Sequence, residues 1–205
     1  MKLFGVLVAL FAVEMALLSA AHAADQRYPN WPCVQPKVPQ MSAAAMWDGP
    51  SIADVGSSWQ DDPAIKDLVA RLAARRTPLD VAQKAIAGFI TGSAGEKQDK
   101  AKKLFAGLFD TLSQERSEVM NGIERVARNE KELGDKIRSD VDALHALQDK
   151  PGEDPSKITT LANEVEWSTR IFEDRRKTIR YVCEVPITIE QRVFALARAI
   201  KQSLD

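Results

Sequence analysis

The longest pattern in the sequence is a stripe of apolar residues along a segment without proline, 96–150. The apolar positions recur at intervals of four, three or seven residues, the heptad-like spacing of a helix that packs along a partner helix. Arg116 and Glu130 occupy two intervening positions of the stripe. At 1.5 Å per residue the pattern predicts one helix of roughly 80 Å. The stripe consists of Phe105, Phe109, Leu112, Val119, Ile123, Val126, Leu133, Ile137, Val141 and Leu144.

A second, shorter stripe with the same seven-residue repeat follows a Pro- and Gly-containing turn at 150–155. Because only about six residues join the two stripes, we expect an antiparallel coiled-coil hairpin over about 96–183, with its tip near 149–154. Polar residues at stripe positions, Arg116, Glu130, Ser168 and Arg175, are expected to set its register or its self-association. The second stripe consists of Ile158, Leu161, Val165, Phe172, Ile179 and Val182.

Shorter amphipathic segments flank the hairpin. An acidic cap followed by proline at 61–63 predicts the start of one helix, and a second helix is expected to end at Gly92 and Gly95. Pro186 is expected to break the chain, after which 188–191 matches a capping box that opens a final helix. No segment has a strand pattern. The prediction is an all-α fold, with residues 61–205 forming a helical bundle from which the hairpin projects.

Residues 24–60 differ in composition from the rest of the chain. Five of the ten prolines lie between Pro29 and Pro50, and three of the four tryptophans lie in the same region. Proline fixes φ and removes a backbone donor, so we expect an extended N-terminal arm that lies across the helices. Trp31, Trp47 and Trp59 either fill grooves beneath this arm or stay exposed as anchors for a partner or ligand.

The first 23 residues have the three parts of a secretory signal peptide. Lys2 precedes an apolar run over 3–18, and Ala21, His22 and Ala23 form an A-x-A cleavage site. An uncleaved membrane anchor is the alternative, but Glu14 near the middle of a spanning helix would cost roughly 2–3 kcal/mol. The absence of an Asn-x-Ser/Thr acceptor favours a bacterial periplasm. We therefore expect a periplasmic protein that is not stably inserted in the membrane after cleavage.

Two cysteines, Cys33 and Cys183, remain after that cleavage. In an oxidising compartment such a pair predicts one disulfide bond. A redox-active pair is the alternative, although that chemistry usually requires the Cys-x-x-Cys spacing. A four-ligand zinc site is not expected, because His145 is the only histidine after the leader.

Charge and motifs exclude several functions. Lys and Arg total 28 against 29 Asp and Glu, a balance that does not favour nucleic-acid binding. No nucleophile, phosphate-loop or metal motif occurs, and His145 is interpreted as a solvated surface residue near the hairpin tip. We therefore expect no enzymatic activity, no cofactor and no metal; a hydrolase site assembled from distant helices is a third hypothesis. A local basic cluster, Arg175, Arg176, Lys177 and Arg180, is either a solvated helix face or a contact for an anion or acidic partner.

These observations lead to two main hypotheses. The first is an exported, non-enzymatic interaction protein whose hairpin meets an unidentified periplasmic protein or a second copy of the chain. The alternative is a periplasmic small-molecule or cofactor-binding protein with a pocket beneath the Trp-rich arm. The candidate anchors for a partner or ligand are Trp31, Trp47, Trp59, Arg176 and Arg180.

Overall fold

The computed structural model describes residues 27–205, which contain helices and no strand, so the predicted all-α class is confirmed. The predicted signal peptide lies outside the described residues and stays a prediction. A short 3-10 helix, Ser58–Asp61, precedes the main bundle. The α-helices are α1 Ala43–Met46, α2 Pro63–Ala73, α3 Leu79–Phe89, α4 Ala94–Gln148, α5 Pro155–Val182 and α6 Val185–Gln202.

The long helix α4 begins with a reciprocal cap. The Ser93 backbone N–H donates to Glu96 Oε2 at 2.8 Å, and the Glu96 N–H donates to Ser93 Oγ at 3.4 Å. These bonds satisfy donors that the first turn of a helix leaves unpaired. Gly92, with φ of 115°, follows α3 as predicted, but Gly95 lies in the first turn of α4. The prediction that Gly95 ends the preceding helix was therefore wrong, because the capping box starts the next helix one residue earlier.

The core lies where the N-terminal half of α4 packs between α2 and α6. Phe105 is fully buried, and the Trp47 ring stacks on it with 4.5 Å between centroids. Gly107 lets α4 approach its neighbours closely, since a Cβ there would lie 2.8 Å from side-chain atoms of both Trp59 and Val69. The fully buried aliphatic side chains of this core include Ile65, Leu72, Ile86, Leu104, Leu108, Leu112, Ile189, Leu196 and Ile200.

The last helix begins three residues before the predicted position. Pro186 lies in the first turn of α6, where its missing N–H costs no hydrogen bond, so it does not break the chain. The Thr188 hydroxyl donates to the Glu184 carbonyl at 3.0 Å instead of capping a helix. The predicted capping box at 188–191 was therefore wrong.

A buried arginine joins α6 to the end of α2. Arg192 donates to the Leu72 carbonyl at 2.9 and 2.6 Å and to the Thr77 carbonyl at 2.9 Å. Burial lowers the pKa of its guanidinium, while the Glu115 charge acts in the opposite direction. Carbonyls at a helix C-terminus lack partners within the helix, so Arg192 satisfies groups that would otherwise be buried without a bond.

The second half of α4 and all of α5 form an antiparallel hairpin. Asp154 caps α5 by accepting from the Ser156 N–H at 2.9 Å, and Pro155 occupies its first turn, as the sequence predicts. Every buried α4 residue of the main core lies at or before Leu112, the partly buried Val119 packs against it, and α5 contains no buried residue. The hairpin therefore projects from the bundle. Val126, a predicted stripe residue, is 42% exposed but lines a groove together with residues of α5.

Hydrogen bonds at the hairpin tip hold the turn together. Glu153 accepts from Lys150 Nζ at 2.7 Å and from Lys157 Nζ at 3.1 Å. These bonds, the one from Lys150 foremost, lower the pKa of Glu153 from 4.5 to about 2. The same contact raises the pKa of Lys150.

Candidate functional site

The N-terminal arm is fastened to the base of the hairpin. The Cys33 and Cys183 Sγ atoms are 2.02 Å apart and their Cα atoms 5.6 Å apart, which places the predicted pair at disulfide distance. Gln35 Nε2 donates to the Cys183 carbonyl at 2.6 Å, and Trp31 Nε1 donates to the Gln35 carbonyl at 2.8 Å. A covalent bond and one hydrogen bond thus fix this part of the arm where α5 ends, and the Trp31 bond lies within the arm.

Arg116 provides a second attachment of the arm. Its side chain is buried and donates to the Val38 carbonyl at 2.7 Å and to Glu190 Oε1 at 2.6 Å. Lys37 Nζ, also on the arm, lies 2.7 Å from Glu124 Oε1 on α4. Arg116 was expected to set the register of the hairpin, but it joins the arm, α4 and α6 instead. An arginine stands at this position of the apolar stripe because its side chain donates to backbone carbonyls of the arm.

Glu130 and Arg175 pair across the hairpin, with 3.2 Å between Arg175 Nη1 and Glu130 Oε1. Both are polar residues at stripe positions. Glu130 is buried, and its other oxygen, Oε2, has no hydrogen-bond partner in the part of the chain that the structure describes. Their pairing supports the prediction that such residues set the register, because a shift of either helix would leave a buried carboxylate unpaired.

The three tryptophans of the arm differ in exposure. Trp59 is buried, and its Nε1 donates to Asp110 Oδ2 at 3.0 Å. Trp47 packs on the core and donates to the Pro50 carbonyl at 2.7 Å. Trp31 is half-buried and borders a cleft of about 130 Å³. Their placement supports the interpretation in which tryptophans hold the arm on the helices.

Arg176 and Arg180, the other predicted anchors, border a groove of about 650 Å³ between α4, α5 and the arm. We call this the basal groove. The sequence reasoning missed Lys131 and Arg138 on its other side, although their spacing of seven residues places them on one face of α4. Its apolar residues are Pro32, Val34, Ala127, Phe172 and Ile179.

A second groove, of about 510 Å³, involves the same two helices and is almost entirely apolar. Val119, Ile123, Val126 and Val182 line it, and the last two are more than a third exposed. The charged residues among those that line it are Arg125, Asp174 and Arg175. Both grooves have accessible apolar surface between the two helices of the hairpin.

Within residues 27–205, no three His, Cys, Asp or Glu side chains are placed to hold a metal ion. His145 is exposed on the last turns of α4. In the same part of the chain, no helix is long and apolar enough to cross a bilayer. The side chains that line the two grooves provide charge and apolar surface.

Comparisons of this chain with protein-family models, with curated proteins and with solved structures found no match.

Proposed function

We propose that this protein is an exported, non-enzymatic accessory protein that presents its helical hairpin to a protein partner in the periplasm. The observation that carries the proposal is the form of the hairpin: α5 spans 28 residues and buries none of them. A helix that packs mainly against one neighbouring helix contributes little to a core. Its length is accounted for if its exposed side is a contact surface.

The exposed side of the hairpin contains side chains that are frequent in protein interfaces. Trp167 is 61% exposed and Tyr181 is 78% exposed, both on α5. Trp, Tyr and Arg are enriched among the residues that dominate binding energy. Export is inferred from the N-terminal leader and from the cysteine pair, which suits an oxidising compartment.

The alternative, a small-molecule site beneath the Trp-rich arm, has weaker support. The cleft beside Trp31 has about 130 Å³, which is below the range of roughly 300–1,000 Å³ usual for ligand pockets. Trp47 and Trp59 are engaged in the core and do not border the basal groove. Binding of a small molecule in the cleft beside Trp31 would change the fluorescence of Trp31 alone.

Site-specific photocrosslinking in the native host tests the proposed function. Benzoylphenylalanine replaces Trp167 on the hairpin, and a control variant carries it in place of Gln83, an exposed residue of α3. We expect a discrete protein adduct from the hairpin position and none from the control. An adduct from Gln83 only, or none from either, would contradict the proposal. The mass of the purified chain checks export, since cleavage leaves Ala24 as the first residue and retention leaves Met1.

A further inference from the structure

The basal groove carries cationic side chains on two helices. Lys131 and Arg138 are two turns apart on α4, about 10 Å at 1.5 Å per residue, and Arg176 and Arg180 are one turn apart on α5, about 6 Å. Within residues 27–205, Lys131, Arg176 and Arg180 have no acidic side chain within salt-bridge distance, whereas Arg138 pairs with Asp135. Glu130 also lines the groove, but its carboxylate pairs with Arg175, so the groove has more positive charge than its own acidic residues neutralise.

An apolar surface lies between these cations. Phe172 and Ile179 form part of it from α5, and the Arg176 guanidinium lies 5.7 Å from the centroid of the Phe172 ring. The arm contributes Pro32 and Val34, and Val34 is 87% exposed. Both arm residues adjoin Cys33, which is joined to the end of α5. The exposed Val34 side chain is therefore held in position before a partner binds, which reduces the entropy lost on binding.

The dimensions of the groove indicate what it would accommodate. Its α4 side extends from Ala127 to Arg138, about 16 Å or three helical turns. One carboxylate or phosphate cannot contact cations distributed over that length, so a small anion would leave most of them unpaired. An acidic helix with an apolar stripe presents several carboxylates and several apolar side chains over the same length.

We propose that the basal groove binds an acidic, amphipathic helical segment of a partner protein. The inference rests on the proposed function, because it identifies the part of the hairpin that the partner contacts. Acidic side chains of that segment pair with Lys131, Arg176 and Arg180, and its apolar stripe covers Phe172 and Val34. The charge complementarity determines which segments bind, whereas the apolar contact supplies much of the affinity.

Isothermal titration calorimetry with three designed peptides tests this proposal on the full mature chain with its disulfide intact. The 14-residue peptides share the same leucine positions and carry Glu, Gln or Lys at the remaining variable positions. We expect the Glu peptide to bind about tenfold more tightly than the Gln peptide and the Lys peptide not to bind. Raising the salt from 0.05 to 0.5 M should weaken the Glu peptide most, because exposed charges are screened.

A charge-reversal variant and a matched control locate the binding. Arg176→Glu with Arg180→Glu should weaken the Glu peptide about tenfold or more, because two attractions become repulsions. Arg76→Glu with Lys84→Glu changes the net charge equally on exposed bundle residues outside the groove and should change affinity less than twofold. Circular dichroism confirms that both variants keep their helical content.

Several results would overturn the proposal. They are equal affinity for all three peptides, no binding of the Glu peptide at about 1 mM, or Glu-peptide binding that Arg176→Glu with Arg180→Glu leaves unchanged. The protein could instead bind sodium decanoate or phosphatidylglycerol vesicles, lose that binding in the variant, and bind none of the peptides. That result would identify an anionic amphiphile or a membrane surface as the occupant of the groove. If the Trp167 crosslink persists in the variant at wild-type yield, the groove inference fails and the proposed function stands. If the Trp167 crosslink is absent from the wild type, the proposed function itself fails.

Discussion

Replacing Arg116 by methionine measures how strongly the arm is held on the helices. Methionine has a similar length and keeps the apolar contacts of the side chain, but it removes the charge and every donor. The buried guanidinium bonds the Val38 carbonyl on the arm and Glu190 on α6. The substitution therefore cuts two attachments between elements that are far apart in the chain.

The magnitude follows from the two contacts of Arg116, which is itself only 3% exposed. A hydrogen bond from a charged donor to the Val38 carbonyl at 2.7 Å contributes about 2 kcal/mol. The pair with Glu190 is discounted to about 1 kcal/mol, because the Glu190 side chain is 35% exposed and partly solvated. The contact of Arg116 with the Pro39 carbonyl is 3.5 Å long and adds little. We expect Arg116→Met to lower the free energy of unfolding by about 3 kcal/mol.

Urea denaturation of the disulfide-intact protein, followed by circular dichroism, measures this loss. Arg116→Lys keeps the charge but cannot form both contacts of the guanidinium, so about half of the loss is expected. A double-mutant cycle with Glu190→Gln should give a coupling energy of about 1 kcal/mol. A loss below about 0.5 kcal/mol for Arg116→Met, or a coupling energy near zero, would refute the assignment of Arg116 as an attachment of the arm.

Three further predictions concern the bridge, the core and the hairpin tip. Replacing Cys33 and Cys183 by serine should lower the free energy of unfolding by about 3–5 kcal/mol, because the disulfide closes a loop of 150 residues in the unfolded chain. An unchanged urea midpoint would contradict this prediction. Gly107→Ala should destabilise the protein by about 1–3 kcal/mol, because the added Cβ overpacks the core. Gly88→Ala should stabilise it by up to about 1 kcal/mol, because a Cβ at that position meets nothing within 4 Å. Thermal unfolding of the two variants measures both effects. The lowered pKa of Glu153 implies that its lysine contacts stabilise the hairpin tip above pH 4.5 and that this stabilisation is lost as the pH falls through about 2. A Glu153 pKa near 4.5 in an NMR titration would contradict these contacts.

The features predicted well from the sequence depend on residues that are close in the chain. The 55 residues of α4 follow from a repeat without proline, and the start of α5 follows from the cap Asp154 and the adjoining Pro155. The pairing of Cys33 with Cys183 needed no geometry, because only two cysteines are present. Local periodicity, caps and residue counts therefore suffice for the all-α fold.

The features that were missed depend on contacts between distant segments. The polar position of Arg116 in an apolar stripe was visible, but the carbonyls that it meets belong to the arm, 78 residues earlier. Arg192 bonds the end of α2 from 120 residues away, and no local signal distinguishes it from a surface arginine. Pro186 was interpreted as a breaker because proline occurs both after helices and in their first turn. The basal groove likewise required the arm and two helices to be placed together.

The attachments of the arm explain how a hairpin whose second helix contains no buried residue can hold a defined position. Cys33 and Gln35 bond the end of α5, while Arg116 bonds the arm to α4 and α6 close to the point where the hairpin leaves the bundle. Because α5 contributes no buried residue, contacts at its base have the largest effect on where its exposed side lies. The same arm supplies Val34 to the basal groove. The arm that fixes the base of the hairpin thus also forms part of the surface proposed to contact a partner. Weakening the bonds of the arm should therefore displace one wall of the basal groove.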